Sequence, residues 1–438
     1  MSVFSPEKLP NILMIITHDT GQYFGCYQAP IETPNIDRLA SNGVRFANHF
    51  CTAPQCSPSR GSILTGKIPH SHGLMGLVNY GWNLPETIKT LPKLLLEHGY
   101  ETHLIGLQHE QKDAVKLGYR QISPRDDFPY IARSVVPKVV EFLDKVEKQE
   151  IRKPFYCNVG FFETHRPFTF LDDDLITEPN QVVIPPYLPN HPDVRDDIGE
   201  FEASVKTVDV SISEIMDTLK GTSFYQNTIV IFTVDHGWPF PRAKCTLYDA
   251  GIKTALIIAW PGKIEGGKVY SELVSNIDLL PTLLDLIGIE ETNNTQGVSF
   301  FPLLFDAEFT ERESVFFELT HHDWGYNPMR GIRTKRWKYI KNFGPLKSLF
   351  EIPDDVEMGD SYEPFLQHNP QYDTPRPPEE LYDLEQDPHE FNNLATDTKY
   401  KAIRNRLNDQ LMSWLKKTND PILKGEVPAP EKPKFFYY

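Results

Sequence analysis

The stretch from Cys56 to Lys67 (Cys-Ser-Pro-Ser-Arg-Gly-Ser-Ile-Leu-Thr-Gly-Lys) combines a reactive side chain with the signals of a helix start. Pro58 suits a first helical turn, where its missing N–H costs nothing, and Gly66 suits a helix end. We therefore expect Cys56 at or just before a helix N-terminus, where free N–H groups and the helix dipole favour an anion. Arg60, one turn further on, can reach back toward Cys56. For an isolated cysteine, a small buried side chain before an ordinary helix would be the simpler interpretation.

Histidine and aspartate also follow four apolar runs of strand length: His18-Asp19 after 11–16, His109 after 102–106, His165 after 155–162, and Asp235-His236 after 228–234. Each alone could be a capping aspartate or a hydrogen-bonded core histidine. Four such strand ends predict one shared site, because ligands of parallel sheets bind outside the carboxyl ends of the strands. Asp19 and Asp235, with His18 or His236 beside them, supply ligands for a divalent metal ion.

Stretches with helical spacing alternate with these runs, at 33–40, 90–98, 135–146, 200–219 and 276–287, and a further strand is expected at 254–260. This alternation predicts an α/β fold with a large, mostly parallel sheet and helices on both faces. The pattern changes near residue 309. Short strands, acidic proline-rich loops and a final helix at 399–416 then predict a smaller C-terminal α+β subdomain with an antiparallel sheet. The expected units are a catalytic domain at 1–308 and the subdomain at 309–438.

The overall composition and charge limit which classes of molecule this protein is expected to bind. The 438 residues are 40% hydrophobic and 24% charged, as in ordinary globular proteins, and the net charge is −16. So acidic a surface repels nucleic acid and favours a small saccharide over a long polyanion. No apolar run reaches transmembrane length, so no membrane partner is expected. Five cysteines without a CxxC pair, and a start without a secretory signal, predict a cytoplasmic location. The oligomeric state stays open.

The Cys56 stretch resembles the maturation signature of the type I sulfatases, members of the alkaline-phosphatase-like superfamily. The match covers Cys-x-Pro-Ser-Arg and the later Leu-Thr-Gly, while Lys67 stands where the family usually has arginine. The resemblance implies that a maturation enzyme oxidises Cys56 to formylglycine, whose hydrate is the nucleophile. It also implies that Arg60 secures the formylglycine.

The same resemblance assigns the other catalytic roles. Asp19, Asp235 and His236 match metal-ligand positions, where the family holds Ca²⁺. His165 is placed like the general acid that protonates the leaving group. His109 resembles the histidine of the family's Gly-Lys-x-His motif and would act as the base. Lys244 matches a sulfate-binding cation, although a solvated loop lysine is the alternative.

Two positions depart from the family pattern. His18 stands where the first aspartate is usual, which removes a charge and favours Mn²⁺, Zn²⁺ or Fe²⁺ over Ca²⁺. His18 is either a direct ligand or a supporting residue. Leu107 replaces the lysine of Gly-Lys-x-His, so another cation must hold the sulfate, and the candidates are Lys67, Arg166 and Arg242.

Three further stretches, 234–241, 326–334 and 380–394, resemble the sulfamidase (heparan N-sulfatase) branch and its bacterial relatives. Arg330 in the second stretch, with His321 and His322 just before it, could contact a saccharide, although the two histidines could equally form an exposed turn. The expected function is hydrolysis of a sulfamate or sulfate ester on a small sugar, best represented by N-sulfoglucosamine. The alternatives are a phosphonate or phosphate diester hydrolase of the same superfamily, and a non-catalytic saccharide- or metal-binding protein with unmodified Cys56.

Overall fold

A computed structural model describes residues 9–123, 130–151, 154–168, 171–289, 295–344 and 352–431. Within these residues the strands are β1 (Asn11–Thr17), β2 (Val44–Phe46), β3 (His49–Phe50), β4 (Glu101–Gly106), β5 (Gln121–Ser123), β6 (Phe155–Gly160), β7 (Thr228–Val234), β8 (Leu256–Ala259), β9 (Lys268–Tyr270), β10 (Val274–Ser275), β11 (Val315–His322), β12 (Gly325–Arg333), β13 (Trp337–Asn342) and β14 (Glu379–Asp383).

The α-helices of the same residues are α1 (Pro34–Asn42), α2 (Cys56–Thr65), α3 (Pro69–His72), α4 (Leu91–Glu97), α5 (Ala132–Glu147), α6 (Pro192–Lys220), α7 (Asp249–Ile252), α8 (Leu279–Leu286), α9 (Phe301–Leu304), α10 (Asp354–Glu357), α11 (Tyr362–His368) and α12 (Lys401–Lys417). None of these helices is long and apolar enough to cross a bilayer.

Eight strands form the main sheet in the order β5-β4-β6-β1-β7-β8-β2-β9. The neighbours from β5 to β7 pair in parallel, whereas β8 is antiparallel to both β7 and β2. The mostly parallel sheet expected from the sequence is therefore confirmed. Since β1 lies between β6 and β7, the carboxyl ends of β4, β6, β1 and β7 meet along one edge.

The centre of the sheet is apolar on both faces, as a sheet covered by helices requires. Along β1, Leu13 and Ile15 pack into a core that includes residues of α5 and α6. Ile12 and Met14 point the other way, into a core with residues of α2, α4 and α8. This two-residue alternation places α2, and with it Cys56, on one defined face of the sheet.

The antiparallel sheet expected after residue 309 is also present, with the order β11-β12-β13-β14. One face of this sheet packs on α12 through Leu407, Leu411 and Leu415, which recur at four-residue spacing along the helix. The sequence did not predict β14, which forms an edge of this sheet by pairing with β13. The boundary between residues 308 and 309 stays a prediction.

Candidate active site

The loops after β1 and β7 bring two His/Asp pairs together at the carboxyl edge of the sheet. The strands run side by side, with Thr17 opposite Val234, so the residues that follow them are neighbours. The backbone N–H of Asp19 donates to Asp235 Oδ1 at 3.0 Å, which locks the two loops together. Asp19 has a φ of 43°, a left-handed conformation that few non-glycine residues adopt and that aspartate tolerates better than most.

Helix α2 carries Cys56 to this edge. The helix runs from Cys56 to Thr65 and is capped by Gly66, whose φ of 63° suits a residue without a side chain. Every residue of α2 is buried, so the helix is a fixed support. Cys56 Sγ lies 3.4 Å from His236 Nε2 and 3.9 Å from His18 Nδ1. The sequence prediction of a cysteine at a helix N-terminus is confirmed.

Five side chains present ligand atoms within 4.8 Å of one another, all of them buried: His18, Asp19, Cys56, Asp235 and His236. Asp19 Oδ1 lies 2.6 Å from His18 Nδ1 and 2.8 Å from His236 Nε2. Asp235 Oδ2 lies 3.4 Å from His18 Nδ1. Two imidazole nitrogens and two carboxylates thus face a common centre, an arrangement that suits a divalent cation.

The electrostatics of this centre favour charged groups in spite of burial. Burial alone would lower the pKa of His18, but Asp235, Cys56 and Asp19 raise it to about 9. Burial would raise the pKa of the Cys56 thiol, yet His18 and Lys244 hold it well below its usual range. Burial also opposes ionisation of Asp19, but Lys244 and the neighbouring histidines hold its pKa well below the usual value. The side chains therefore form one mutually stabilised set of buried charges.

Lys244 and His165 lie beside this set, on the side that opens to solvent. Lys244 Nζ donates to Asp19 Oδ2 at 2.6 Å and to Asp355 Oδ2 at 2.7 Å. His165 Nε2 lies 3.4 Å from Lys244 Nζ, and its ring meets that of His18 edge-on at 4.7 Å between centroids. Burial and then Lys244 lower the pKa of His165, so its protonated imidazole is a stronger acid than a free histidine. Lys244 is a buried, paired residue and not a solvated loop lysine.

Arg60 contacts Asp235 through its Nε at 2.9 Å and the carbonyl of Thr17 at 3.3 Å. Its side chain therefore fixes the orientation of Asp235 beside Cys56. His109 lies in the loop after β4, and no hydrogen bond in the described residues joins its imidazole to Cys56 or Lys244. That loop is coupled to the site through buried Glu110, which lies within electrostatic range of Arg60.

Six residues were predicted to bind substrate. One of them, His322, contacts the residue before Cys56, since its Nδ1 lies 3.1 Å from Oε1 of Gln55. Gln55 directly precedes α2. His321 instead contacts the carbonyl of Val427 at 2.9 Å. Lys67 follows the far end of α2, a helix of ten residues and so about 15 Å long.

The three predicted arginines are held by partners elsewhere. Arg166 is paired with both oxygens of Asp197, at 2.6 and 2.8 Å. Arg330 is bound by Asp420 in the same two-pronged way. Arg242 donates to the carbonyl of Glu390 and lies over the ring of Tyr248. Because their guanidinium groups have protein partners, the structure does not bring Arg166, Arg242 or Arg330 to Cys56 as sulfate-binding cations.

Sequence reasoning missed Asp355, which reaches the site from α10, 111 residues beyond Lys244. The acidic, proline-rich composition around Asp355 predicts a loop, and no local pattern distinguishes one of its carboxylates from the others. Glu110 was also missed, although it directly follows His109 and is buried. An acidic residue directly after the strand-end histidine would have been the available signal for Glu110.

The fold and this centre are those of an α/β protein with a mostly parallel sheet, in which a cysteine at a helix N-terminus lies beside a set of potential metal ligands. Residues 10–289 match the model of the sulfatase family, and residues 235–364 match the C-terminal model of N-sulphoglucosamine sulphohydrolase. The chain therefore belongs to the sulfatase family and is a sulfatase, a hydrolase.

Two similar proteins match nearly the whole chain in sequence, and a third shares its fold. The human N-sulphoglucosamine sulphohydrolase is 28% identical, covering 94% of this chain and 91% of its own sequence. An ulvan-active sulfatase of Formosa agariphila is also 28% identical, covering 95% of this chain and 76% of its own. A protein solved with its substrate D-glucosamine-2-N,6-O-disulfate superposes with a TM-score of 0.73 at 22% identity, covering 94% of this chain and 99% of that one.

Proposed function

We propose that this sulfatase hydrolyses the sulfamate or a sulfate ester of a small saccharide, and that N-sulfoglucosamine is its best substrate. The observation that supports this most is the site around Cys56, in a chain similar along nearly its full length to an N-sulphoglucosamine sulphohydrolase. The acidic net charge of −16 agrees with a small sugar rather than a long sulfated polymer.

The nucleophile in this proposal derives from Cys56, oxidised by a maturation enzyme to formylglycine, whose hydrate carries the attacking hydroxyl. The thiol position, at the first residue of α2, puts that hydroxyl where the N–H groups of the helix face an anion. Lys244 would bind a sulfonate oxygen, because its ammonium group is fixed at the edge of the centre. His165 would protonate the leaving atom, because its partly exposed imidazole lies 3.4 Å from Lys244 Nζ.

A divalent metal ion fits the residues present. His18, Asp19, Asp235 and His236 would hold it, since their ligand atoms already converge. Bound there, it would polarise the sulfonate group and acidify a hydroxyl. Two imidazoles among four donors favour Mn²⁺, Zn²⁺ or Fe²⁺ over Ca²⁺. Metal analysis of the purified protein, with melting temperatures measured after adding each ion to chelator-treated protein, tests this preference. A shift by Ca²⁺ alone would contradict it.

The central experiment measures free sulfate released from N-sulfoglucosamine and from glucosamine 6-sulfate. The enzyme must be confirmed by peptide mass to carry the aldehyde at Cys56, and Cys56→Ala serves as the control. Release from the N-sulfated sugar supports the proposal. If the matured enzyme releases sulfate from neither sugar, the proposed substrate is wrong, and phosphonate esters become the next class to assay.

A further inference from the structure

Asp355 approaches the reaction centre from the C-terminal part of the chain. Its Oδ2 lies 2.7 Å from Lys244 Nζ and 3.7 Å from His165 Nε2. Short helix α10 holds it there, since Val356 is fully buried in the main core and the backbone N–H of Asp354 donates to Asp323 Oδ2 at 3.1 Å. Asp355 is thus a fixed carboxylate next to the proposed sulfonate-binding lysine and the proposed general acid.

The exposures of these side chains show which way a substrate must lie. Those of Asp19, His236 and Lys244 are at most 1% exposed, whereas His165 is 22% and Asp355 13% exposed. The sulfonate group must therefore enter deepest, and the rest of the substrate must extend past His165 and Asp355. The atom that links sulfur to the sugar then lies within reach of both side chains, whose facing atoms His165 Nε2 and Asp355 Oδ2 are 3.7 Å apart.

A carboxylate beside the linking atom distinguishes sulfamates from sulfate esters. A sulfamate has an N–H at this position that can donate to a carboxylate, while an ester has an oxygen that offers only lone pairs. On the basis of the proposed function, we propose that Asp355 accepts the N–H of the linking nitrogen and so selects N-sulfated over O-sulfated sugars.

The reaction keeps this contact throughout. A hydroxyl of the hydrated, matured Cys56 side chain gives its proton to water, and its oxygen bonds to sulfur to form a sulfate ester on that side chain. The S–N bond breaks, and its electron pair stays on nitrogen. His165 gives one proton to this nitrogen, which completes the amine. The hydrogen that the nitrogen carried from the start still faces Asp355. The N–H of the product amine therefore stays hydrogen-bonded to Asp355 during the reaction. A product alcohol could donate to Asp355 only through the proton that His165 has just transferred.

The test uses two ligands that differ at the linking atom alone, N-sulfoglucosamine and glucose 2-sulfate. Calorimetry on metal-loaded Cys56→Ala protein, which is expected not to turn them over, measures both dissociation constants. We expect N-sulfoglucosamine to bind on the order of tenfold to a hundredfold more tightly, the range that a hydrogen bond to a charged group provides. Adding Asp355→Ala should remove this preference, and Asp355→Asn should keep part of it, because the amide oxygen still accepts a hydrogen bond.

Asp354→Ala is the matched control. Asp354 lies on the same helix, is exposed and receives the hydroxyl of Tyr80 at 3.4 Å, so its loss should leave the preference unchanged. Equal affinity for the two ligands, or an equal loss on both with Asp355→Ala, would overturn the role of Asp355 and reduce it to an anchor for Lys244. If neither sugar binds, or if only glucose 2-sulfate binds, the proposed substrate is overturned as well.

Discussion

Asp420→Ala is predicted to destabilise the protein by removing the partner of a buried arginine. Asp420 binds Arg330 through Oδ2 at 2.5 Å and Oδ1 at 3.1 Å, and Arg330 is fully buried. The same carboxylate lies 3.2 Å from His70 Nδ1 and caps the backbone N–H of Ile422 at 3.0 Å. These contacts tie the segment after α12 to β12 and to α3, so the change affects how three parts of the chain hold together.

The magnitude follows from what remains around Arg330. Breaking a buried pair by removing one partner costs about 3–5 kcal/mol, since the other charge stays buried. Glu318 stays 3.9 Å from Arg330 Nε and offsets part of this loss. The expected destabilisation from the broken pair is therefore near the lower end of this range, about 3 kcal/mol. The lost cap adds about 1 kcal/mol. We therefore expect the free energy of unfolding to fall by about 4 kcal/mol.

Urea unfolding at pH 7 measures this change, with Asp397→Ala as the control. Asp397 caps the N–H of Lys399 at 2.8 Å in the same manner but is exposed, so its loss should cost about 1 kcal/mol. The double variant Arg330→Met/Asp420→Ala should recover most of the stability, because no unpaired charge stays buried. If Asp420→Ala costs no more than Asp397→Ala, the reasoning is refuted, and Arg330 is again a candidate for substrate binding.

Three further outcomes are expected. Cys56→Ala should abolish sulfate release while the near-ultraviolet circular dichroism stays that of the wild type, and release above about 1% of the wild-type rate would contradict a nucleophile derived from Cys56. Lys244→Ala should lower kcat/KM for N-sulfoglucosamine at least about a hundredfold by removing an oxyanion donor, with Lys244→Arg recovering part, and an unchanged value would argue against sulfonate binding. Burial raises the pKa of Glu163 to about 7 in the native state. Between the pKa of the unfolded chain and this higher value, the native state binds a proton that the unfolded state has released, so the free energy of unfolding falls as the pH rises. Glu163→Gln should therefore stabilise the protein by up to about 3 kcal/mol at pH 8 and by almost nothing at pH 4, and urea unfolding that shows equal effects at both would contradict this.

Strong local signals allowed much of the fold to be predicted. The runs at 11–16 and 228–234 are β1 and β7, since continuous apolar stretches of this length fit strands buried on both faces. The sequence did not predict elements, or parts of elements, that lie next to proline-rich stretches typical of loops. β14 follows a proline-rich stretch and is specified by pairing with β13, a contact that no local pattern shows. Helix α6 begins at Pro192 and not near residue 200, with His191 as its N-cap. This start was not predicted because the sequence before it is rich in proline.

The site could be predicted where potential metal ligands directly follow a predicted strand. His18, Asp19, Asp235 and His236 converge because the sheet order places β1 beside β7, and Cys56 joins them through α2. Arginines could not be assigned in this way, because a guanidinium can pair with a substrate or with a protein carboxylate. Arg166 pairs with Asp197 and Arg330 with Asp420, and both aspartates are distant in sequence from their arginines. The cytoplasmic location and the maturation partner stay predictions.

The two departures from the family pattern offset each other in charge. Histidine at position 18, in place of aspartate, removes one negative charge from the centre, and leucine at position 107, in place of lysine, removes one positive charge. Leu107 is buried and apolar, so no cation replaces the lysine at that position. The raised pKa of His18 adds positive charge at the centre itself, and a metal ion bound there would take the place of that proton. Anion binding in this protein would then depend on the metal centre and Lys244, because the described residues bring neither Lys67, Arg166, Arg242 nor Arg330 to Cys56.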